Sequence, residues 1–315
     1  MKAMQYRDYG PPDRLQIAEV PMPEPGPTQL LVKVLATSVN PVDWKLHTGQ
    51  YRRIMPVRFP SIPGFDLAGE VTAVGAQVTR FQPGDRVYAM LDRRPGGASA
   101  EYVAVGEAAA ARMPANLAPE EAAAIPLAGL TALQCLRDLG RIAAGRRVLV
   151  VGASGGVGHF AVQIAKSVGA HVTAVCSARN AELMRRLGAD RVIDYTQTSD
   201  LRGPQPYDLV LDLIVQAPLR RLLDLLANDG IYVCSLPSAS RIAAAFLLPL
   251  VSRRRVRIAG VKPRGADLDE LSRLAEAGKL RPVIDRRFAL AELATAHATS
   301  QQGRTVGKIV VNVAD

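Results

Sequence analysis

The stretch Arg147-Val-Leu-Val-Val-Gly-Ala-Ser-Gly-Gly-Val-Gly158 decides the fold of this chain. Val148–Val151 is an aliphatic run dominated by β-branched residues, as a central parallel strand buried on both faces requires. Ala153-Ser154-Gly155-Gly156-Val157-Gly158 then reads as a glycine-rich turn, followed by a helical stretch (His159–Gly169) and a second apolar strand (His171–Cys176). Residues without a Cβ let the chain turn tightly and let a pyrophosphate approach the backbone, and Gly158 lets the helix pack close to the strand. The helix N-terminus would aim unpaired N–H groups and its positive dipole end at that pyrophosphate. The pattern G-x-G-x-x-G has Ala153 in its first place, and the flanking strand and helix supply the context it needs. Ser154, Gly155, Gly156 and Val157 are the expected phosphate-cradling residues.

The end of the second strand bears on which dinucleotide binds. An acidic residue there holds the ribose 2′-OH of NAD, whereas a cation accommodates the 2′-phosphate of NADP. Cys176-Ser177-Ala178-Arg179-Asn180 contains no acid. Ser177 can donate to a phosphate oxygen, and Arg179 can add charge-assisted contacts. A cation at a helix start is otherwise unfavourable against the helix dipole. The expected cofactor is NADPH.

At 315 residues the chain is large for one core, which implies two domains. Its 48% hydrophobic and 22% charged content is that of a globular chain. No opening stretch pairs a basic segment with an apolar core, so no secretory signal is read. The most apolar tract, Ile242–Val251, is too short to span a bilayer and contains Pro249, so no membrane partner is expected. Cys135, Cys176 and Cys234 lie in apolar contexts without metal-ligand spacing, which implies buried thiols in a reducing, cytoplasmic setting. The net charge of +10 and pI near 9.8 raise the question of nucleic acid. Arg253-Arg254-Arg255 with Arg257 is the dense cluster, and it lacks interleaved aromatics that could stack on bases. A solvated basic face that attracts an anionic cofactor accounts for the charge.

The first hundred residues read as strands and turns: Pro21–Pro27 cannot be helical, and Gln29–Ala36, Leu67–Val74 and Arg86–Met90 are strand-like. Helical patterns follow at Glu120–Ile125 and Thr131–Leu139. The strand candidates Val148–Gly152, His171–Cys176, Arg191–Ile193, Asp208–Leu213, Ile231–Ser235 and Val256–Val261 then alternate with helical segments, as in a complete doubly wound α/β domain. The tail reads helix (Leu268–Gly278), helix (Ala291–Gln302), strand (Thr305–Val313). That last strand falls too late to extend the cofactor sheet and is expected to return to the first domain. The expected organisation is a substrate domain over 1–121, an NADPH-binding domain over 122–263, and a return to the substrate domain over 264–315.

In this order and in Asn40-Pro-Val-Asp43, Gly64-Phe-Asp-Leu-Ala-Gly-Glu-Val71, Leu127-Ala-Gly-Leu-Thr-Ala132, Arg191-Val-Ile-Asp-Tyr195 and Val306-Gly-Lys-Ile-Val310, the chain resembles the medium-chain dehydrogenase/reductase superfamily. The resemblance is to its zinc-free, quinone oxidoreductase-like branch. It implies a GroES-like β-rich domain beside a doubly wound Rossmann domain, with substrate bound in the cleft between them. Members commonly carry a Gly soon after the strand that corresponds to Tyr207–Asp212, where this chain has Leu213-Ile-Val-Gln-Ala217.

Zinc-dependent relatives place their catalytic metal on positions that match Asn40, Phe65 and Leu127. Phe and Leu cannot ligate, and a catalytic Zn²⁺ needs about three N, S or O donors, so no metal is expected. His47, His159, His171 and His297 show no paired spacing and read as surface or cap residues. Without a Lewis acid, acceptors that are already electrophilic become the natural substrates.

Asn40 is also a good helix N-cap, with Pro41 at the first position and Asp43 in the first turn. The resemblance nevertheless assigns Asn40 to the nicotinamide ribose and Tyr51 to the substrate pocket, and both stand as candidate catalytic residues. Lys45 reads as an exposed helical lysine. Thr131 matches a nicotinamide-side contact, Tyr195 an adenosine-phosphate contact, and Lys308 the Gly-Lys pair that closes the cofactor cleft. Ser235 and Leu236, at the end of the fifth strand, complete the cofactor set.

The resemblance implies an NADPH-dependent reductase of a quinone or an α,β-unsaturated carbonyl. An enoyl-thioester reductase is the alternative within enzymes, and an NADPH-binding regulatory or RNA-binding protein the alternative outside them. An unpaired edge at Val256–Val261 invites a homodimer, although the Arg253–Arg255 run could guard it.

Overall fold

The computed structural model describes residues 1–92, 96–236 and 238–313. The chain forms two compact units, Met1–Leu130 with Lys262–Asp315, and Thr131–Val261.

The second unit is an open parallel sheet of six strands: β1 (Arg147–Val151), β2 (His171–Cys176), β3 (Arg191–Asp194), β4 (Tyr207–Asp212), β5 (Leu226–Cys234) and β6 (Arg255–Ile258). Their order is β3-β2-β1-β4-β5-β6, and every neighbouring pair is parallel. Val148, Leu149 and Val150 are fully buried at its centre, which is why their stretch reads as an unbroken aliphatic run. Strand order reverses between β1 and β4, and open α/β sheets bind ligands at the carboxyl ends of the strands at such a switch point.

In the first unit, the long strand Gln29–Val39 pairs antiparallel with Asp66–Val74, with Tyr102–Gly106 and with the C-terminal strand Lys308–Asn312. Asp66–Val74 continues the sheet through Arg86–Met90 to Ala110–Arg112, and Ile284–Ala289 closes its other side. Leu30, Val32, Val34, Leu67, Val71, Val87, Val103 and Val311 form the heart of the core. Ile309 lies opposite Val39 and Asn312 opposite Ala36, so the chain's last strand does return to the N-terminal sheet. This pairing brings Lys308 beside Asn40, 268 residues earlier in sequence.

Candidate active site

In the second unit, the turns at the carboxyl ends of the strands carry Ser154, Gly155, Gly156, Val157, Ser177, Arg179, Tyr195, Ser235 and Leu236 of the expected cofactor set. Gly152 follows β1 with φ +84, a left-handed conformation that favours glycine. The tight turn is thus made by Gly152, one residue before the motif's first place, and Ala153 in that place is accommodated fully buried. Gly158 opens the helix Gly158–Ser167, and a Cβ there would fall 2.2 Å from the Gly152 carbonyl oxygen. The close helix–strand approach therefore requires a glycine at this position.

Ser154 lies in this turn, and Ser177 follows β2. Asn180 links them: its Nδ2 donates to Ser154 Oγ at 3.0 Å and, more weakly, to Ser177 Oγ at 3.4 Å. Both hydroxyl oxygens thereby accept from Asn180, and their own hydrogens remain able to donate to an anion. Sequence reasoning missed Asn180, although an Asn three residues past Ser177 is the available signal. Arg179 is exposed in the short turn Ala178–Asn180, and Tyr195, 62% exposed, follows β3. Ser235 and Leu236 follow β5, with Ser235 N donating to the Asp212 carbonyl at 3.1 Å. Thr131 is buried in the helix Pro126–Gln134.

After β4, Val215 adopts φ +60, an outlier for a β-branched residue. It falls in the segment Leu213–Ala217, where the family resemblance leads to the expectation of a glycine. The Asp212 carboxylate accepts from Ile214 N and Val215 N and so holds the strained turn. The same carboxylate accepts from Tyr232 Oη at 2.7 Å and pairs with the buried Arg241 at 3.4 Å.

In the first unit, a buried polar cluster surrounds Asn40. Asn40 is the N-cap residue of the helix Pro41–His47, but its side chain makes no cap hydrogen bond. Its Nδ2 donates to Asp66 Oδ2 at 2.7 Å, and its Oδ1 accepts from Lys308 Nζ at 2.6 Å. Asp66 also accepts from Ser38 Oγ (2.6 Å), Leu127 N (2.7 Å) and Lys308 Nζ (3.4 Å). Burial pulls the Lys308 ammonium below its usual range, while Asp66 and Asp43 oppose that shift. Asp43 caps the helix by accepting from Asn40 N at 2.6 Å, and burial pushes its carboxyl up to about 8. Tyr51, half-buried, follows the helix, with Lys45 Nζ 5.6 Å from its ring centre and 5.4 Å from that of Trp44. Lys45 is thus a half-buried cation between two rings rather than an exposed lysine.

The positions that correspond to zinc ligands do not fit a metal. Asn40 is committed to Asp66 and Lys308, Phe65 and Leu127 offer no donor side chain, and the Lys308 ammonium brings positive charge to the spot. Among the described residues, no group of three or more His, Cys, Asp or Glu is placed to hold a metal ion.

The histidines differ from their sequence reading. His47, His159 and His297 are buried, and His171 alone is exposed. His47 and His297 stack with ring centres 5.1 Å apart, and Tyr6 meets His47 edge-on. Burial, with His47 nearby, lowers His297 from 6.5 to about 3, and burial lowers His47 as well. As pH falls, the unfolded chain takes up these protons before the folded one does. Stability is therefore complete above about pH 6.5 and falls toward pH 3, by at most about 1.4 kcal/mol per pH unit for each histidine. His297→Phe is expected to flatten the acid limb of a stability–pH curve from urea denaturation, and an unchanged limb would remove His297 from acid sensitivity.

The parallel six-stranded sheet and the β-rich unit define a medium-chain dehydrogenase/reductase, an oxidoreductase fold. Residues 26–115 match the alcohol dehydrogenase GroES-like domain, and residues 187–311 match the zinc-binding dehydrogenase family. The chain is 38% identical to the chloroplast envelope quinone oxidoreductase homolog of Arabidopsis thaliana, over 99% of this chain and 98% of that protein. It is 34% identical to the 2-methylene-furan-3-one reductase of Solanum lycopersicum, over 99% of this chain and 79% of that protein. The structure of the quinone oxidoreductase from Coxiella burnetii superposes with a TM-score of 0.89 at 32% identity, covering 100% of this chain and 99% of that one. The chain belongs to the quinone oxidoreductase-like branch of the medium-chain dehydrogenase/reductase superfamily.

Proposed function

We propose that this protein is a zinc-independent, NADPH-dependent reductase of quinones or of the activated C=C bond of enones and enals. The observation that carries the cofactor choice is the acid-free end of β2, where Asn180 leaves the hydroxyl hydrogens of Ser154 and Ser177 available beside Arg179. When bound, NADPH supplies hydride from nicotinamide C4. Ser154, Gly155, Gly156 and Val157 hold the pyrophosphate, Ser177, Arg179 and Tyr195 the adenosine phosphate, and Thr131, Ser235 and Leu236 the nicotinamide half. Asn40 orients the nicotinamide ribose, with Asp66 and Lys308 fixing the plane of its amide. Tyr51 donates to the substrate oxygen. The relatives named for quinones and for a methylene-furanone support acceptors of this electrophilic class, and no observation favours an enoyl thioester or RNA.

Losing a charged hydrogen bond costs about 1.5–3 kcal/mol, or roughly ten- to a hundredfold in affinity. Arg179→Asp is therefore expected to weaken NADPH by that factor and to leave NADH nearly unchanged in fluorescence titrations. Equal affinity of the unaltered protein for the two cofactors would defeat the assignment. Elemental analysis is expected to find no stoichiometric zinc, and chelator treatment to leave NADPH oxidation intact. A tightly bound zinc needed for turnover would contradict the reading.

A further inference from the structure

The segment 213–217 follows β4 at the point where strand order reverses, and it touches the turns after both β1 and β5. Leu213 N donates to the Val151 carbonyl at 3.1 Å, and the Leu213 carbonyl accepts from Ser235 Oγ at 3.5 Å. A Cβ on Gly152 would fall 2.7 Å from Ile214 Cδ1, so Ile214 lies directly against the glycine turn. Ile214 is still 45% exposed, at the end of the sheet where open α/β folds bind their ligands.

A β-branched residue at positive φ, such as Val215, persists only where its surroundings over-determine it. A buried network does this here. At the start of the segment, Asp212 accepts from Ile214 N at 3.2 Å and from Val215 N at 2.8 Å. At its end, Arg241 Nη2 donates to the Ala217 carbonyl at 3.0 Å. Tyr232 bridges the two ends. Its Oη donates to Asp212 and accepts from Arg241 Nε, each at 2.7 Å. Burial pushes the Tyr232 phenol up, so it stays protonated and keeps donating. Arg241 comes from the helix Ala239–Leu247, is 6% exposed, and is the one charged residue between Ala239 and Ser252. A buried ion pair is often no more stabilising than apolar side chains of the same volume, so stability alone does not account for it. What the network adds is a single backbone shape for a segment at the switch point.

We propose that Arg241 and Tyr232 are positioning residues for the dinucleotide, which through Asp212 hold the segment 213–217 in the shape that binds it. The inference rests on the cofactor binding proposed above. The segment adjoins Gly152, at the pyrophosphate turn, and Ser235, assigned to the nicotinamide half. NADPH and NADH share both of these parts. Loosening the segment should therefore weaken the two cofactors equally, unlike Arg179→Asp.

Fluorescence titration of the full chain and its variants with NADPH and with NADH is the test. Arg241→Met, which keeps the stem and removes the fork, is expected to weaken both cofactors roughly tenfold, as when the competent shape is populated about a tenth of the time. Arg241→Lys keeps the charge without the fork and should fall between the two. Val215→Gly added to Arg241→Met should recover most of the lost affinity, because glycine takes a positive φ without strain and needs no clamp. Titrations are made where circular dichroism shows each variant fully folded, so a change in global stability does not register as a change in affinity. Should Arg241→Met not fold, Tyr232→Phe breaks the same bridge by one oxygen and should weaken both cofactors several-fold. Unchanged affinities in folded Arg241→Met or in Tyr232→Phe overturn the proposal. So does a loss confined to NADPH, or one that Val215→Gly does not restore, which would leave Arg241 a purely structural residue. An unaltered protein that binds neither cofactor defeats the function proposed above and this inference with it.

Discussion

Tyr51→Phe is expected to lower turnover on enones by roughly two to three orders of magnitude, the loss of about 2.7–4 kcal/mol of oxyanion stabilisation from one donor. Hydride arriving at the β-carbon leaves negative charge on the carbonyl oxygen, and in the zinc-independent reaction proposed above a protein group meets it. The Tyr51 hydroxyl makes no hydrogen bond among the described residues, so it is uncommitted. Lys45, 5.6 Å from the ring centre, restrains the ring from the preceding helix. Cofactor affinity should hardly change, because Tyr51 is not among the residues proposed to hold the cofactor. Quinone rates should fall less, since the reduced ring spreads its own charge. Steady-state kinetics on both acceptor classes check this, and unchanged enone turnover would take Tyr51 out of the mechanism.

The doubly wound sheet was legible because central parallel strands buried on both faces read as near-continuous aliphatic runs, as Val148–Val151 in β1 and Leu209–Leu211 in β4 do. The motif's spacing could not show that Gly152, and not the next position, takes the left-handed turn, because that depends on where β1 stops. The burial of the histidines was illegible for a related reason. A solitary His in a helix carries no sign of burial, and the His47–His297 stack joins two helices about 250 residues apart in sequence. In the sequence Asp66 stands out only as part of a family segment. Its role becomes visible once the strands Gln29–Val39, Asp66–Val74 and Lys308–Asn312 are neighbours. The signal available was an acid opening the strand directly before the apolar run Leu67-Ala68-Gly69. Arg241 offers the same lesson: a single cation in an apolar helix marks the side that faces a buried acid.

Lys308→Met is expected to destabilise the first unit by about 3–5 kcal/mol, through the charge it leaves behind more than the contact it removes. Asp66 is fully buried, and Lys308 is the cation beside it at 3.4 Å. With the ammonium gone, the carboxylate keeps neutral donors from Ser38, Asn40 and Leu127, which favours the lower end of that range. A loss near 3 kcal/mol corresponds to a fall in Tm of about 6–12 °C for a unit of this size. Asn40 loses its partner at Oδ1 as well, so its amide is free to rotate, and with the role proposed for Asn40 cofactor affinity should fall even where the fold persists. The double variant Lys308→Met with Asp66→Asn separates these effects. Removing the orphaned charge should restore part of the stability, a coupling expected of residues in direct contact. It should not restore cofactor affinity, because Asn40 is still unfixed. Calorimetry with cofactor titration reads both quantities, and equal stability of the two variants would show that the buried carboxylate does not depend on Lys308.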